Sequence, residues 1–262
     1  MYGFYLKKNF CDGWDNIGQI IVVNLVILAY AAVSFFLLAI IAPINSALGM
    51  LAMVVLCGGG MILVMAYGGH AYSISKFEGL TLKEYFKAIP GCAKDGFLFG
   101  ALSGALFCAC IVGIPSYLSM KSTFGFLLAV MLFWIGVIAA LSLQWFIPLR
   151  SIMHNDFRKC LKKCFIIFFD NTFFSIFVGT YTLIMIPLSI FLFLLAPAAA
   201  GILLAQTNAL RMRLYKYDYL EKHPELKTRD EQKDIPWDEL IASDKETLGP
   251  RRFRSFIFPW KD

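Results

Sequence analysis

The distribution of charge along this 262-residue chain is the feature that most constrains its fold. The chain carries 42 charged side chains, made up of 24 Lys or Arg and 18 Asp or Glu. Long apolar runs separate these charges into clusters. If the runs cross a membrane alternately in and out, 41 of the 42 charges fall on one side, and only Lys121 falls on the other. This sorting is typical of a multi-pass membrane protein, whose basic loops stay in the cytoplasm.

The composition points to the same class of protein. Hydrophobic residues make up 59% of the chain and charged residues 16%, whereas soluble domains carry about a quarter charged residues. A soluble fold of this length could not bury so much apolar surface, so lipid must be the solvent for much of it. The first apolar run, Ile17–Ala42, exceeds the usual ~7–15 residues of a signal core, which predicts a retained anchor helix.

Six apolar runs approach the ~20 residues that a bilayer core requires. The fold class predicted is therefore all-α, with six transmembrane helices arranged as three hairpins. The predicted spans are Ile17–Ala42, Ala47–Ser73, Gly96–Leu118, Phe124–Pro148, Thr172–Phe193 and Leu195–Leu214. The last two divide one long apolar block at a turn near Ala196-Pro197, and the alternative is one span followed by a surface segment.

The basic residues favour six spans over five. Clusters of Lys and Arg precede the first span and follow the second, fourth and sixth, which predicts that both termini and both long loops are cytoplasmic. A single span at 172–214 would carry the basic C-terminal tail outside. We therefore predict a transmembrane domain at residues 1–214 and a cytoplasmic tail at 215–262.

The two long loops are predicted to contain helices. Thr81 and Glu84 fit a capping box that starts a helix at Leu82, and Pro90 is expected to end or kink it. Residues 156–168 have an apolar helical face, predicted to lie in lipid, and a basic face predicted to contact anionic headgroups. The basic face comprises Arg158, Lys159, Lys162 and Lys163. A calmodulin-like or nucleic-acid site is disfavoured, and no nucleic-acid partner is expected.

Uncharged polar residues within the spans are the candidates for an intramembrane site. They are Asn24, Gln144, Gln206 and Asn208. They could form interhelical hydrogen bonds or a substrate-binding cluster, and the absence of mid-span charge argues against a proton-coupled pump. Gly100 and Gly104 predict a close helix contact. The triple glycine at 58–60 could pack closely too, or could unwind its helix around a ligand.

Nothing in the sequence predicts catalysis, and no catalytic residue, metal site or cofactor is expected. The chain has three histidines, but none in a metal-binding spacing, and it has no glycine-rich phosphate loop. Cys160 and Cys164 could touch one metal, but no second ligand pair accompanies them. Seven cysteines, an odd number, make a disulfide framework unfavourable.

The C-terminal tail ends in a segment rich in arginine and aromatic residues. Residues 215–246 are highly charged, which predicts a solvated helix followed by a linker. The predicted docking segment that follows contains Arg251, Arg252, Phe253, Arg254, Phe256, Phe258 and Trp260. Such residues should be buried, because exposed they would promote aggregation. Three surfaces could bury them: the protein's own cytoplasmic face, a protein partner, or anionic lipid.

Three stretches resemble the YesL-like family of bacterial polytopic membrane proteins, a domain of unknown function. They are Asp15–Leu25 with its Asn24-Leu25 pair, Tyr85–Ile89, and Trp145–Leu149 followed by the basic residues 159–163. The pattern spans residues 15–215. Two departures are the short turn at Ala42–Asn45 and the longer tail. The resemblance implies a multi-pass protein of the bacterial inner membrane, and an association with carbohydrate import systems.

Taken together, these features predict a non-catalytic accessory or scaffold subunit of the cytoplasmic membrane, and the resemblance implies an association with a carbohydrate transport system. Its cytoplasmic face would contact lipid headgroups and a protein partner. The alternative is a small-molecule permease that uses the four polar residues of the spans.

Overall fold

The computed structural model describes residues 1–79, 81–225 and 235–251 of the chain. The described residues form eleven α-helices and no strands, as predicted. In chain order the helices are α1 (Tyr2–Asp15), α2 (Ile17–Ile41), α3 (Ser46–Ser75), α4 (Leu82–Ser119), α5 (Thr123–Leu143), α6 (Phe146–Met153), α7 (Phe157–Asp170), α8 (Thr172–Phe191), α9 (Ala198–Lys222), α10 (Trp237–Leu240) and α11 (Ala242–Leu248).

Five segments of the described chain are long and apolar enough to cross a membrane. They are α2, α3, α4, α8 and the combined α5–α6 segment, Thr123–Met153. Many of their large apolar side chains face outwards: Phe35, Phe173 and Phe191 are 76%, 87% and 80% exposed. Such surfaces are compatible with lipid but not with water. The protein is therefore a multi-pass integral membrane protein, as the composition predicted.

The sixth predicted span corresponds to α9, which differs from the other five. Its first half is rich in alanine and leucine, and its second half carries charge through to Lys222. Protein rather than lipid covers this helix, since it packs on α1, α2, α3, α6 and α8. Leu203, Leu204 and Leu210 are at most 2% exposed. The predicted domain boundary at residue 214 falls inside α9.

Two hydrogen bonds show that α8 and α9 run antiparallel. At one end the Ser189 hydroxyl accepts a hydrogen bond from the Ala198 backbone N–H at 2.8 Å. At the other end Arg213 donates to the Asn171 side-chain oxygen at 3.2 Å. The turn between these helices lies at residues 192–197, where the sequence predicted it.

Close contact between α3 and α4 depends on glycine. A Cβ atom added at Gly96 would lie 2.7 Å from the Ile62 Cα atom, and one at Gly100 would overlap the Cys57 carbonyl oxygen. The predicted close contact at Gly100 is thus confirmed. The alternative in which the triple glycine unwinds its helix is wrong, because α3 is continuous from Ser46 to Ser75. Those glycines instead leave room for the aromatic rings of neighbouring helices.

The helix that the capping box starts is longer than predicted. The Thr81 backbone N–H donates to a Glu84 carboxylate oxygen at 2.8 Å, and α4 begins at Leu82 as expected. However, α4 continues through Pro90 to Ser119. Proline removes one backbone hydrogen bond. Packing on both sides of it compensates, since Tyr85 and Phe99 are both buried in the core.

The apolar face of α7 packs on protein, which corrects the prediction that it lies in lipid. Cys160, Cys164 and Phe168 are buried, and α7 contacts α5, α6 and α8. The apolar face therefore completes the core of this protein. The four basic residues of the helix remain on its outer side, where Lys159 pairs with Asp156 at 3.5 Å.

Candidate functional sites

The four polar residues predicted within the spans do not form one cluster. Asn24 is 2% exposed and holds the start of α9. Its Nδ2 donates to the Leu195 and Pro197 carbonyl oxygens, and its Oδ1 accepts from the Ala200 N–H, each at 2.9 Å. Ala200 lies in the first turn of α9, whose N–H groups have no partner within the helix. Asn24 therefore acts as a side-chain cap supplied by α2.

Asn208 joins α9 to the N-terminal helix α1. Its Nδ2 donates to Asn9 Oδ1 at 2.8 Å and to Asp12 Oδ2 at 2.9 Å. Lys8 pairs with Asp12 at 3.0 Å, and both side chains are at most 4% exposed. Burial raises the pKa of Asp12 above its ordinary value and lowers the pKa of Lys8, and the pairing partly offsets both shifts. Asn208 thus links α9 to α1 by hydrogen bonds, and we call such a polar link between helices a joint.

A second joint fixes the short helix α11. Arg211 donates to the Ser75 carbonyl oxygen at the end of α3, and to an Asp244 carboxylate oxygen at 2.8 Å. The Tyr215 hydroxyl donates to the other Asp244 oxygen at 3.2 Å. Ile241 and Leu248 are also buried. This part of the tail was predicted to be a linker, but these two apolar residues and Asp244 fold it against α9.

A third joint lies at the start of α8. The Asp170 carboxylate accepts hydrogen bonds from the Tyr217 hydroxyl at 2.7 Å and from Lys216 at 3.3 Å. Burial alone would raise the pKa of Asp170. The hydroxyl and the ammonium group together outweigh burial and hold that pKa below its ordinary value. The three joints bring the end of α9 together with α1, the end of α3 and the start of α8. We call this region the polar end.

The start of the predicted docking segment is held against α1. Arg251 pairs with Asp15 at 2.5 Å, and the Lys7 ammonium donates to the Gly249 carbonyl oxygen at 3.1 Å. Gly249 has a φ of +69°, in the region that favours glycine, and it turns the chain from α11 towards α1. The remaining residues predicted for docking lie outside the described part of the chain: Arg252, Phe253, Arg254, Phe256, Phe258 and Trp260.

Gln144 and Gln206, in contrast to the two asparagines, share a cavity. It has a volume of about 720 Å³ and is lined by residues of α3, α4, α5, α8 and α9, together with Gln144 and Ile147. Apolar side chains form most of its wall, and none of the lining residues is charged. Of the four polar residues that could have formed a cluster, these two line one cavity, although they lie 62 positions apart in the chain.

The described residues offer no metal centre. No group of three or more His, Cys, Asp or Glu side chains among them is arranged to hold an ion. Cys160 and Cys164 are buried, and burial raises the pKa of the Cys160 thiol. Both cysteines therefore contribute apolar volume to the packing of α7.

Comparison of the chain with protein-family models, with curated proteins and with solved structures found no match.

Proposed function

We propose that this protein is a non-catalytic accessory or scaffold subunit of the bacterial cytoplasmic membrane, and that it binds a protein partner at its polar end. One observation carries the proposal: residues 249–251 are held on α1. The ion pair between Arg251 and Asp15 and the hydrogen bond from Lys7 to the Gly249 carbonyl oxygen hold them there. The arginine- and aromatic-rich segment thus starts from a defined point on the polar end. Arginine and tryptophan are the residues that most often dominate protein interfaces.

In this proposal the polar end is cytoplasmic and α9 is the sixth crossing. Two features support that topology. The end of α9 is bonded to α1, to the end of α3 and to the start of α8, which belong to one end of the molecule. The basic residues lie mostly in the segments at this end, as the positive-inside rule requires of a cytoplasmic face. Lys121 would then mark the outer side.

The permease alternative has less support. Asn24 and Asn208 are occupied by hydrogen bonds that hold α9 in place, which leaves two of its four polar residues for a substrate. The described spans also present no charged group to the cavity. The resemblance to YesL-like proteins, which is a pattern of sequence alone, supports a link with carbohydrate import.

Site-specific photo-crosslinking tests the partner proposal. A photoreactive phenylalanine in place of Trp260, expressed in the native membrane, should give one adduct heavier than the 29.5 kDa chain. Asp15→Asn should reduce that adduct, because it removes the ion pair that helps to hold the start of the segment on α1. Asp238→Asn is the matched control, since it breaks a surface pair with Lys245 that does not hold the segment. Crosslinks confined to lipid or to the protein's own chain would refute the proposal.

A further inference from the structure

The cavity that Gln144 and Gln206 share has the size and the lining of a ligand site. Pockets for small molecules usually have volumes of about 300–1,000 Å³, with mostly apolar walls and a few oriented polar groups. This cavity, at about 720 Å³, falls within that range. On α8, Ile176 and Leu183 are 44% and 68% exposed, so this wall opens sideways towards lipid. A ligand could therefore enter from the bilayer.

The Gln144 side chain offers the cavity a hydrogen-bond acceptor. Its Nε2 donates to the Leu141 carbonyl oxygen at 2.8 Å and to the Ser175 carbonyl oxygen at 3.0 Å. Both N–H groups are therefore used. A flipped amide would place Oε1 against the same two carbonyl oxygens, so the orientation is determined. Oε1 accepts no hydrogen bond from the described residues and remains for a ligand.

The Gln206 side chain offers donors and an acceptor. It is half-buried on α9 and makes no hydrogen bond to the described part of the chain. An amide without a partner in an apolar environment is costly. Two threonines of α8 line the cavity as well, and neither forms a hydrogen bond with Gln206. Thr180 donates to the Ile176 carbonyl oxygen at 2.9 Å, and the buried Thr182 hydroxyl has no partner among the described residues.

These two glutamines specify the chemistry of the occupant. Gln144 requires a donor, and the Gln206 N–H groups require an acceptor. A hydroxyl group is both. A quinone or an ester offers acceptors only, and an ionised phosphate would bring a charge for which the lining has no cation. We propose that the cavity binds an uncharged lipid with a free hydroxyl group, of the diacylglycerol or long-chain alcohol class.

Photolabelling in lipid nanodiscs tests this site. The probe is a diacylglycerol with a photoreactive acyl chain, added to the full-length protein in phosphatidylcholine discs. Label should map to peptides of α5, α8 and α9, and an excess of unlabelled diacylglycerol should suppress it. The same probe with its hydroxyl methylated should label about tenfold less, since a lost hydrogen bond of ordinary strength changes affinity by that factor.

Substitutions in the cavity give the second arm of the experiment. Gln206→Leu should reduce labelling about tenfold, because it removes the hydrogen-bonding side chain that the protein leaves unpaired. Ala140→Phe should abolish labelling by filling the cavity from α5. Ile135→Phe is the matched control, because Ile135 lies on the lipid-facing side of the same helix and is 53% exposed. Equal labelling by the methylated probe, or unchanged labelling of both cavity variants, would overturn the proposal.

Discussion

Replacing Asn24 by leucine removes all the side-chain hydrogen bonds that hold the start of α9 to α2. The two side chains have the same branched shape and the same number of non-hydrogen atoms, so the substitution removes polar contacts without opening a cavity. It leaves the Ala200 N–H and the Leu195 and Pro197 carbonyl oxygens without their partner. These groups lie within the protein, where Asn24 is 2% exposed and bulk water does not replace the lost bonds.

The expected loss of stability follows from these three bonds. A side-chain cap on the first turn of a helix contributes about 1 kcal/mol. Each hydrogen bond between membrane helices contributes about 0.6 kcal/mol on average. The combined effect on the free energy of unfolding is therefore about 2 kcal/mol, which corresponds to a change of about 30-fold in the unfolding equilibrium constant.

Reversible unfolding in mixed micelles, followed by circular dichroism, measures this loss. Ser34→Ala is the control in the same helix, because the Ser34 hydroxyl is buried and has no hydrogen-bond partner among the described residues. The control should leave the unfolding free energy within about 0.5 kcal/mol of the original protein. If Asn24→Leu also fell within that limit, the idea that α2 caps α9 would be refuted.

Two further predictions concern packing and pH. Gly100→Leu should destabilise the protein by about 1–3 kcal/mol, because its side chain would meet the backbone of α3 at Cys57. Gly69→Ala is the control and should not destabilise the protein, because the added methyl group meets nothing within 4 Å. Thermal unfolding in detergent compares the two variants. The lowered pKa of Asp170 means that folding favours its carboxylate form. Its stabilising contribution should be complete above its ordinary pKa of 3.8 and lost as the pH falls through the lower value of the folded state. Asp170→Asn should lack this loss, and a parallel decline of both proteins between pH 5 and pH 2 would contradict the prediction.

The sequence predicted the helices well because their signals are local. Apolar runs, the capping box at Thr81 and the turn before Ala198 each depend on neighbouring residues. The course of α4 through Pro90 was not predictable in this way. Whether a proline ends a helix depends on the packing of both flanks, and α3 supplies that packing here.

What covers each apolar face could not be predicted from periodicity. A helix that faces lipid and one that faces other helices present similar side chains, since both surroundings are apolar. The pattern of α7 therefore identified the correct face but assigned it the wrong neighbour. In α9 the charged second half resembles a tail, although Arg213 is 6% exposed within the protein.

The candidate sites depend on contacts between residues far apart in the chain. Asn208 meets Asp12 across 196 positions, and Asn24 meets Ala200 across 176. A single sequence contains no signal for such pairs. The one local hint at the polar end was the spacing of Lys8 and Asp12, which are four residues apart and form a pair on one face of α1.

Cysteine labelling at the end of α9 tests the central claim that all the joints of the polar end lie on one cytoplasmic face. Single cysteines replace Lys121 and Glu221 in a background without the seven native cysteines, and intact cells are treated with a membrane-impermeant maleimide. Lys121→Cys should react, whereas Glu221→Cys should react only after the cells are permeabilised. Labelling of Glu221→Cys in intact cells would place the end of α9 outside and contradict the account.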